Sequence, residues 1–293
     1  MAADRSLVPA PNRLAQEIGG LDALDRPFVL GEQRLRRLGR ALWPKLVAVV
    51  VVLALWQAVV WTEWRPSYVL PGPGRVLAEL GDLAGTAKFW SAVGTTLRRA
   101  ATGFALAIAV GTALGVAVSR SRTLRRGVGA MITGLQSMPS IAWFPLAILL
   151  LRLSESAILF VVVLGAAPAV ANGLISGIDH IPPLLVRAGR VLGARGLDSV
   201  RHVILPAALP GYVAGLKQGW AFAWRSLMAG ELLVIIEGRP AVGSQLQFAR
   251  ELSDAPGLLA WMLVVLAIGI LVDTLVFAGM ERRIRRRRGL MGG

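Results

Sequence analysis

Long apolar runs alternate with short polar and basic segments along this chain. Because a hydrocarbon core of about 30 Å is crossed by about 20 helical residues, runs of roughly this length predict transmembrane helices. Five such runs are uncharged, and they cover residues 46–62, 100–119, 127–151, 156–178 and 256–272. A sixth run, 207–236, is equally apolar but contains Lys217, Arg225 and Glu231. The pattern therefore predicts an all-α polytopic membrane protein with six transmembrane helices.

The distribution of charge predicts the orientation of these helices. The chain has 32 Lys and Arg against 17 Asp and Glu, a net charge of +15, and a mean hydropathy of +0.62. On a soluble protein such a surplus would indicate nucleic acid as the partner. Here most basic residues fall in 1–45, 120–126, 179–202 and 281–293, segments that share one side if the amino terminus is cytoplasmic. The positive-inside rule therefore predicts both termini in the cytoplasm, and we expect anionic membrane lipid rather than nucleic acid beside the basic tail.

Three regions follow from the same pattern. Residues 1–44 are charged and contain scattered Pro and Gly, which predicts a cytosolic N-terminal arm. The first apolar run begins only at Leu46, too late and too long for a cleaved signal peptide, so we interpret it as a retained helix. Residues 45–281 form the predicted membrane domain, and 282–293 form a basic cytosolic tail.

The third apolar run is interrupted near its middle. Ser137, Met138, Pro139 and Ser140 separate its two halves, and Pro145 follows, so a kink or a local break is expected. Irregular backbone at membrane depth is tolerated only beside protein or a water-filled cavity. Ser137 and Pro139 are therefore candidates for the lining of a translocation path.

The cytosolic segment between the fourth and fifth runs is too polar to cross a membrane and too regular to be a slack loop. Pro182 and Pro183 suit the first turn of a helix, and Gly193 suits its end. Asp198 is placed to cap a second helix that continues to Ile204. Two short helices joined by a glycine turn, within residues 179–206, predict a docking element.

This segment also carries a motif. Three residues separate its first part from Gly193, and nine separate Gly193 from its last part. The motif residues are Arg187, Ala188, Gly189, Gly193, Val203, Leu205 and Pro206. The pattern resembles the EAA loop of the permease subunits of ABC importers. "LPGPGRVLAEL", "GLQSMPSIAWFPLAILLL" and "LVDTLVFAGMERRIRR" are similar to the branch with nitrate, bicarbonate, taurine and aliphatic-sulfonate permeases. The resemblance covers most of residues 46–288, but not the arm.

The resemblance implies a type I importer permease with cytosolic coupling helices in the bacterial plasma (inner) membrane. The loop would insert into a groove on a separate ATP-binding subunit and transmit its closure to the pore. The implied partners are a second permease copy, two ATP-binding subunits and an extracytoplasmic substrate-binding protein. Two residues depart from the family pattern, since Arg187 stands where Glu is usual and Gly189 where Ala is usual.

The sequence contains no recognisable catalytic constellation. Its three lysines, Lys45, Lys88 and Lys217, do not occur in a phosphate-binding loop. There is no cysteine, no Glu/His pair at metal-binding spacing and no nucleophile elbow. We therefore expect a non-catalytic subunit with no metal and no cofactor of its own, with ATP and Mg on the partner ATPase.

Charged residues inside predicted spans, Arg225 and Glu231 among them, are the candidates for lining the translocation path, because burying charge in a bilayer is costly. Arg225, together with Arg98 or Arg99, could give the path a positive potential that favours an anion. The alternative is that Arg225 reaches the membrane interface or pairs with Glu231 or another helix. Trp224 lies one helical turn from Trp220, and this pair could narrow the pore or simply pack.

The leading hypothesis is an importer permease for a small anionic solute such as an aliphatic sulfonate, with taurine, nitrate or bicarbonate as alternatives. An ion-coupled secondary transporter would show an inverted repeat and several acids at the membrane midplane. The sequence shows no convincing repeat, and only Glu231 lies near the middle of a predicted span. A membrane-anchored structural subunit would explain the apolar runs but not the docking element.

Overall fold

The computed structural model describes residues 30–287, which contain helices and no strand. The all-α prediction is therefore confirmed, while residues 1–29 of the predicted arm and 288–293 of the predicted tail lie outside the described residues. The helices are α1 (Leu30–Trp61), α2 (Pro73–Ala84), α3 (Ala87–Arg120), α4 (Arg122–Ser137), α5 (Phe144–Leu151), α6 (Glu155–Asp179), α7 (Pro183–Val191), α8 (Leu205–Leu233), α9 (Val242–Glu251), α10 (Ala255–Val272) and α11 (Ala278–Arg287).

The chain divides into two units, Met1–Thr62 and Glu63–Gly293. Helix α1 belongs to the first unit and is continuous from Leu30, with Pro44 inside it. The boundary that we predicted between residues 44 and 45 therefore falls within a helix.

In the second unit, α6 is the central helix and packs against both α3 and α8. Its sequence explains this position, because small residues allow neighbouring backbones to approach closely. Gly173 on α6 faces Gly215 on α8, so closely that a Cβ atom on Gly173 would overlap the Gly215 Cα atom. On the α3 side, a Cβ on Gly111 would lie 2.5 Å from the Ala167 carbonyl oxygen. Close packing at glycine therefore holds the three helices together.

The predicted break in the third apolar run is confirmed. Helix α4 ends at Ser137, a 3₁₀ turn covers Ser140–Trp143, and α5 follows; the two halves of the run meet at an angle of 102°. Pro139 supplies the cause, since a residue before proline is driven out of the helical region, and Met138 is extended with φ −79° and ψ 127°. The 3₁₀ turn packs against α6 and α8, which places this irregular backbone against protein.

Three helices within residues 30–287 are long and apolar enough to cross a membrane: Ala87–Arg120, Glu155–Asp179 and Ala255–Ile284. The bent pair counts as a fourth if it forms one span, and Leu46–Trp61 is a shorter apolar helix. Helix α8 contains the three charges noted above. The six-span topology and the cytoplasmic termini remain predictions.

The predicted docking element forms as expected in its first half. Helix α7 begins at Pro183 and ends at Val191, and Gly193 follows with φ +88°, a left-handed conformation that suits glycine. The second half differs from the prediction. Residues Leu197–Ser199 and a π-helical turn, Val200–Ile204, continue directly into α8, and Asp198 lies inside this helix rather than before it.

Helical structure continues through Pro206. The π turn precedes it, with the Leu205 N–H donating to the Val200 carbonyl, and the helix resumes at Leu205. A wider turn at this point admits the proline, which has no N–H to donate. The docking element is thus one short helix, α7, and a lead-in, Leu197–Ile204, that is rigidly continuous with α8.

Candidate functional site

A buried cluster of charges lies at the predicted outer ends of α3, α6 and α8. Arg99 of α3 donates to both carboxylate oxygens of Glu155 at the start of α6, with Nε–Oε2 and Nη2–Oε1 distances of 3.0 and 2.9 Å. Its Nη1 donates to Oε1 of Glu231 on α8 at 3.1 Å. Arg99 is 2% exposed and Glu231 is 0% exposed. One guanidinium therefore joins three helices.

The second oxygen of Glu231 joins the cluster to α9. Its Oε2 accepts from the Thr96 hydroxyl at 2.8 Å and from the Gly243 backbone N–H at 3.0 Å. The Thr96 oxygen in turn accepts from the Val242 N–H at 2.9 Å. These N–H groups begin α9, where backbone donors have no intrahelical partner and the helix dipole favours a negative charge. Every carboxylate oxygen of Glu231 is thus bonded, and it has no exposed surface.

One arm of the cluster reaches solvent. Arg239, in the loop before α9, donates to Glu155 Oε1 at 2.9 Å, and its side chain is 54% exposed. The cluster matches two arginines with two carboxylates, so its buried part is neutral. We call these residues, with Thr96, the outer charge cluster: Thr96, Arg99, Glu155, Glu231 and Arg239. Such a cluster fixes helix ends in place and leaves no group free for chemistry.

Sequence reasoning found only part of this cluster. Glu231 was predicted to line the translocation path, whereas the structure buries it among α3, α8 and α9. The sequence pattern did not single out Glu155, and it did not predict α9. The only signal in the sequence was the presence of Glu231 and Arg99 in apolar surroundings, which calls for a partner.

Arg225 and Trp224 lie together at one cavity of about 520 Å³. Arg225 is exposed; its Nε donates to the Ala221 carbonyl at 3.0 Å, and its guanidinium lies 4.9 Å from the centre of the Phe222 ring. It does not pair with Glu231. Trp224 stacks on the buried Trp220 with ring centres 5.9 Å apart. Trp224 therefore both packs against Trp220 and lines the cavity.

The other predicted path residues do not line this cavity. Ser137 and Pro139 are exposed at the break between α4 and α5, just before Ile141, which lines the same cavity as Arg225. The Ser137 hydroxyl donates to the Gly134 carbonyl at 2.7 Å. Arg98 is exposed on α3, and neither the cavity nor the outer charge cluster includes it.

The motif residues of the docking element form a compact unit. Gly189 is buried, and a Cβ atom there would lie 2.7 Å from Cγ2 of Val203 in the lead-in. Ala194 N–H donates to the Gly189 carbonyl at 2.9 Å, and Leu192 N–H donates to the Ala188 carbonyl at 3.0 Å. Glycine in place of the family's alanine thus permits α7 to press against the lead-in.

The opposite side of α7 is open. Leu184 is 74% exposed and Leu192 is 87% exposed, and Arg187 and Arg190 are exposed beside them. Within residues 30–287, neither arginine has a carboxylate partner. Leu205 is also exposed, at 57%, and Pro206 follows it in the first turn of α8. Among the described residues, no group of three or more His, Cys, Asp or Glu side chains could hold a metal ion.

The sequence and the fold are similar to those of known transport proteins. Residues 103–288 match the family described as binding-protein-dependent transport system inner membrane component. The taurine transport system permease protein TauC of Escherichia coli is 27% identical over 252 residues, 84% of this chain and 90% of the relative. The putative aliphatic sulfonates transport permease protein SsuC of Bacillus subtilis is 26% identical over 280 residues, 95% of this chain and 99% of the relative.

A further relative and a solved structure extend the comparison. The riboflavin transport system permease protein RibX of Chloroflexus aurantiacus is 30% identical over 262 residues, 88% of this chain and 96% of the relative. The inward-facing structure of the MetNI methionine ABC transporter has a chain that matches with a TM-score of 0.57 and 22% identity, over 67% of this chain and 96% of that one. The chain therefore belongs to the binding-protein-dependent transport system inner membrane component family, and it is a non-catalytic permease subunit of an ABC transporter.

Proposed function

We propose that this chain, paired with a second copy, forms the translocation path of an ATP-driven importer for a small anionic solute, with an aliphatic sulfonate as the first candidate. The observation that carries the anionic character is the cavity at Arg225, which is lined by cations and by no acid. Relatives whose names refer to taurine, aliphatic sulfonates and nitrate are compatible with this charge. Taurine, nitrate and bicarbonate are the alternative solutes.

We assign the contact with the ATP-binding subunit to α7 and its lead-in. Leu184 and Leu192 expose apolar surface on a helix held firmly by the Gly189–Val203 contact. A force applied to α7 would pass through the Gly189–Val203 contact into the lead-in, which runs directly into α8. Helix α8 carries Arg225 and Trp224 at the cavity. A movement of the ATPase would therefore reach the translocation path through α7, the packed lead-in and α8.

The complete importer in this proposal contains two copies of this chain, two ATP-binding subunits that hold ATP and Mg, and an extracytoplasmic binding protein. It lies in the bacterial plasma membrane with residues 45–281 as a six-span permease domain. The arm, the coupling loop and the basic tail are on the cytosolic side. The open cavity supports a homodimer, since one copy leaves Arg225 exposed.

Within the proposed path, Arg225, Trp224 and the break at Ser137 and Pro139 have direct roles. Arg225 attracts the anion, and Trp224 forms part of the wall. Glu231 acts indirectly, because it holds the ends of α3, α8 and α9 together. Arg98 adds positive charge at the predicted outer entrance.

Uptake in proteoliposomes tests the proposal. The chain is reconstituted with its ATP-binding subunit and binding protein, and import of radiolabelled ethanesulfonate is measured with ATP, with a non-hydrolysable ATP analogue, and with an ion gradient alone. We expect import only with ATP. Import that follows the ion gradient without the ATPase would identify a secondary transporter instead. Parallel assays with taurine, nitrate and bicarbonate determine the solute.

A further inference from the structure

The cavity beside Arg225 contains a second arginine that the sequence did not single out. Arg250, in the last turn of α9, lines the same space of about 520 Å³ as Arg225 and Trp224. Helix α9 starts at the outer charge cluster, and its other end lies at the same cavity as Arg225, about two helical turns before the end of α8. The fold thus brings two cations from different elements to one cavity.

Among the side chains that the structure describes, neither guanidinium is neutralised by an ion pair. Within residues 30–287, no carboxylate forms an ion pair with Arg225 or Arg250, and no Asp or Glu lines the cavity. Glu251, the residue after Arg250, instead accepts a hydrogen bond from Gln247 at 2.7 Å. Arg225 uses its Nε for the Ala221 carbonyl, which leaves its terminal amino groups for a ligand.

Arg99 provides the contrast within the same protein. It is matched by two carboxylates at 2.9 and 3.1 Å, as a cation in a membrane domain requires. Two arginines that share a cavity without an acid repel each other, and a bound anion removes this repulsion. Guanidinium groups present paired N–H donors that suit the oxygens of a sulfonate or carboxylate.

The remaining wall of the cavity restricts the ligand further. Ile141, Met228 and Leu232 contribute aliphatic surface, and Trp224 contributes an aromatic face. A bare inorganic anion such as nitrate would use the arginines and leave this surface in contact with water. An organic anion with an aliphatic body would cover it, which is favourable by about 25 cal/mol per Å² of apolar area buried.

We propose that Arg225 and Arg250 together form a binding site within the translocation path for the charged head of a small organic anion, with the aliphatic body against Trp224 and Met228. This inference rests on the proposed function and selects organic anions among its alternative solutes. The second cation matters because two arginines hold an oxoanion from two directions, whereas one would serve only as a diffuse attractive charge.

Direct binding to the permease tests this site apart from selection by the binding protein. The permease with its ATP-binding subunits is placed in nanodiscs of zwitterionic lipid, and butanesulfonate binding is measured by calorimetry. We expect butanesulfonate to bind more tightly than methanesulfonate or nitrate, and neutral butanesulfonamide to bind far more weakly. Arg225→Gln and Arg250→Gln should each weaken butanesulfonate binding about tenfold or more, since each removes charge-assisted hydrogen bonds. Arg75→Gln, an exposed cation on α2, is the matched control and should bind like the wild type.

Four outcomes would overturn the site. Equal binding of butanesulfonamide would show that only apolar surface matters, and unchanged binding by both Gln variants would remove the arginines from it. Loss of butanesulfonate binding in nanodiscs that contain phosphatidylglycerol would identify the cavity as a site for an anionic lipid headgroup. If ATP-driven uptake persists unchanged in both variants, the importer proposal stands and this site fails. If no anion is imported at all, the proposed function fails first.

Discussion

Arg99 and Glu231 form a buried ion pair, with 3.1 Å between Nη1 and Oε1, although 132 residues separate them in sequence. The pair joins α3 to α8, and the other oxygen of Glu231 binds the first N–H groups of α9 through Gly243 and Thr96. One carboxylate therefore anchors the first turn of α9, the helix that carries Arg250.

Removal of this carboxylate should destabilise the protein. Glu231→Ala leaves Arg99 with one of its two partners and leaves the Gly243 N–H unbonded. Loss of one partner of a buried pair costs about 3–5 kcal/mol. The free energy of unfolding, measured by titration with sodium dodecyl sulfate in mixed micelles, should fall by this order. Glu237→Ala is the control, because Glu237 is exposed and forms no ion pair within residues 30–287; equal stability of the two variants would contradict the role of the cluster.

Substitution of glycine by alanine should lower stability at the contact between α6 and α8 but raise it at an open position of α3. Gly173→Ala places a Cβ atom against the Gly215 backbone, and we expect a loss of about 1–3 kcal/mol, as for other overpacked sites. At Gly94 on α3, nothing lies within 4 Å of a new Cβ. Gly94→Ala should therefore stabilise the helix by up to about 1 kcal/mol. The same titration measures both, and a stabilised Gly173→Ala would mean that the helices do not meet there.

The turn after α7 should be required for coupling rather than for insertion. Gly193 has φ +88°, and a β-branched residue there is strained by about 1–2 kcal/mol. We expect Gly193→Val to reach the membrane normally but to import less solute per ATP hydrolysed. Gly193→Asn is the matched control, since asparagine tolerates this conformation. Uptake and phosphate release are measured on the same proteoliposomes, and an unchanged ratio for Gly193→Val would exclude the turn from coupling.

The exposed face of α7 should matter only in the assembled importer. Leu184 is 74% exposed in this chain, so Leu184→Ser should leave its stability nearly unchanged. Its affinity for the ATP-binding subunit should fall about tenfold, because a leucine that is buried on binding contributes about 1.5–3 kcal/mol. Leu252→Ser alters a leucine that is 78% exposed at the end of α9 and should retain full affinity. Equal affinities of the two variants in a pull-down titration would place the contact elsewhere.

Local signals in the sequence predicted the features that depend on neighbours along the chain. Pro139 marked the break between α4 and α5, and Pro183 and Gly193 marked the limits of α7. Hydropathy alone predicted the apolar helices and the all-α class. Each of these features arises from backbone restrictions or from the transfer of one segment into lipid, so a short window of sequence contains the cause.

The helix α9, the continuity of the lead-in with α8 and the partners of Glu231 depended on the tertiary structure. A carboxylate and a guanidinium can pair only if the fold makes their helices adjacent, and no spacing within one helix encodes that adjacency. Arg225 and Arg250 illustrate the difference. The sequence by itself determined that Arg225 lies in an apolar run and needs an explanation, whereas only the packing of α9 beside α8 decided that a second arginine shares its cavity.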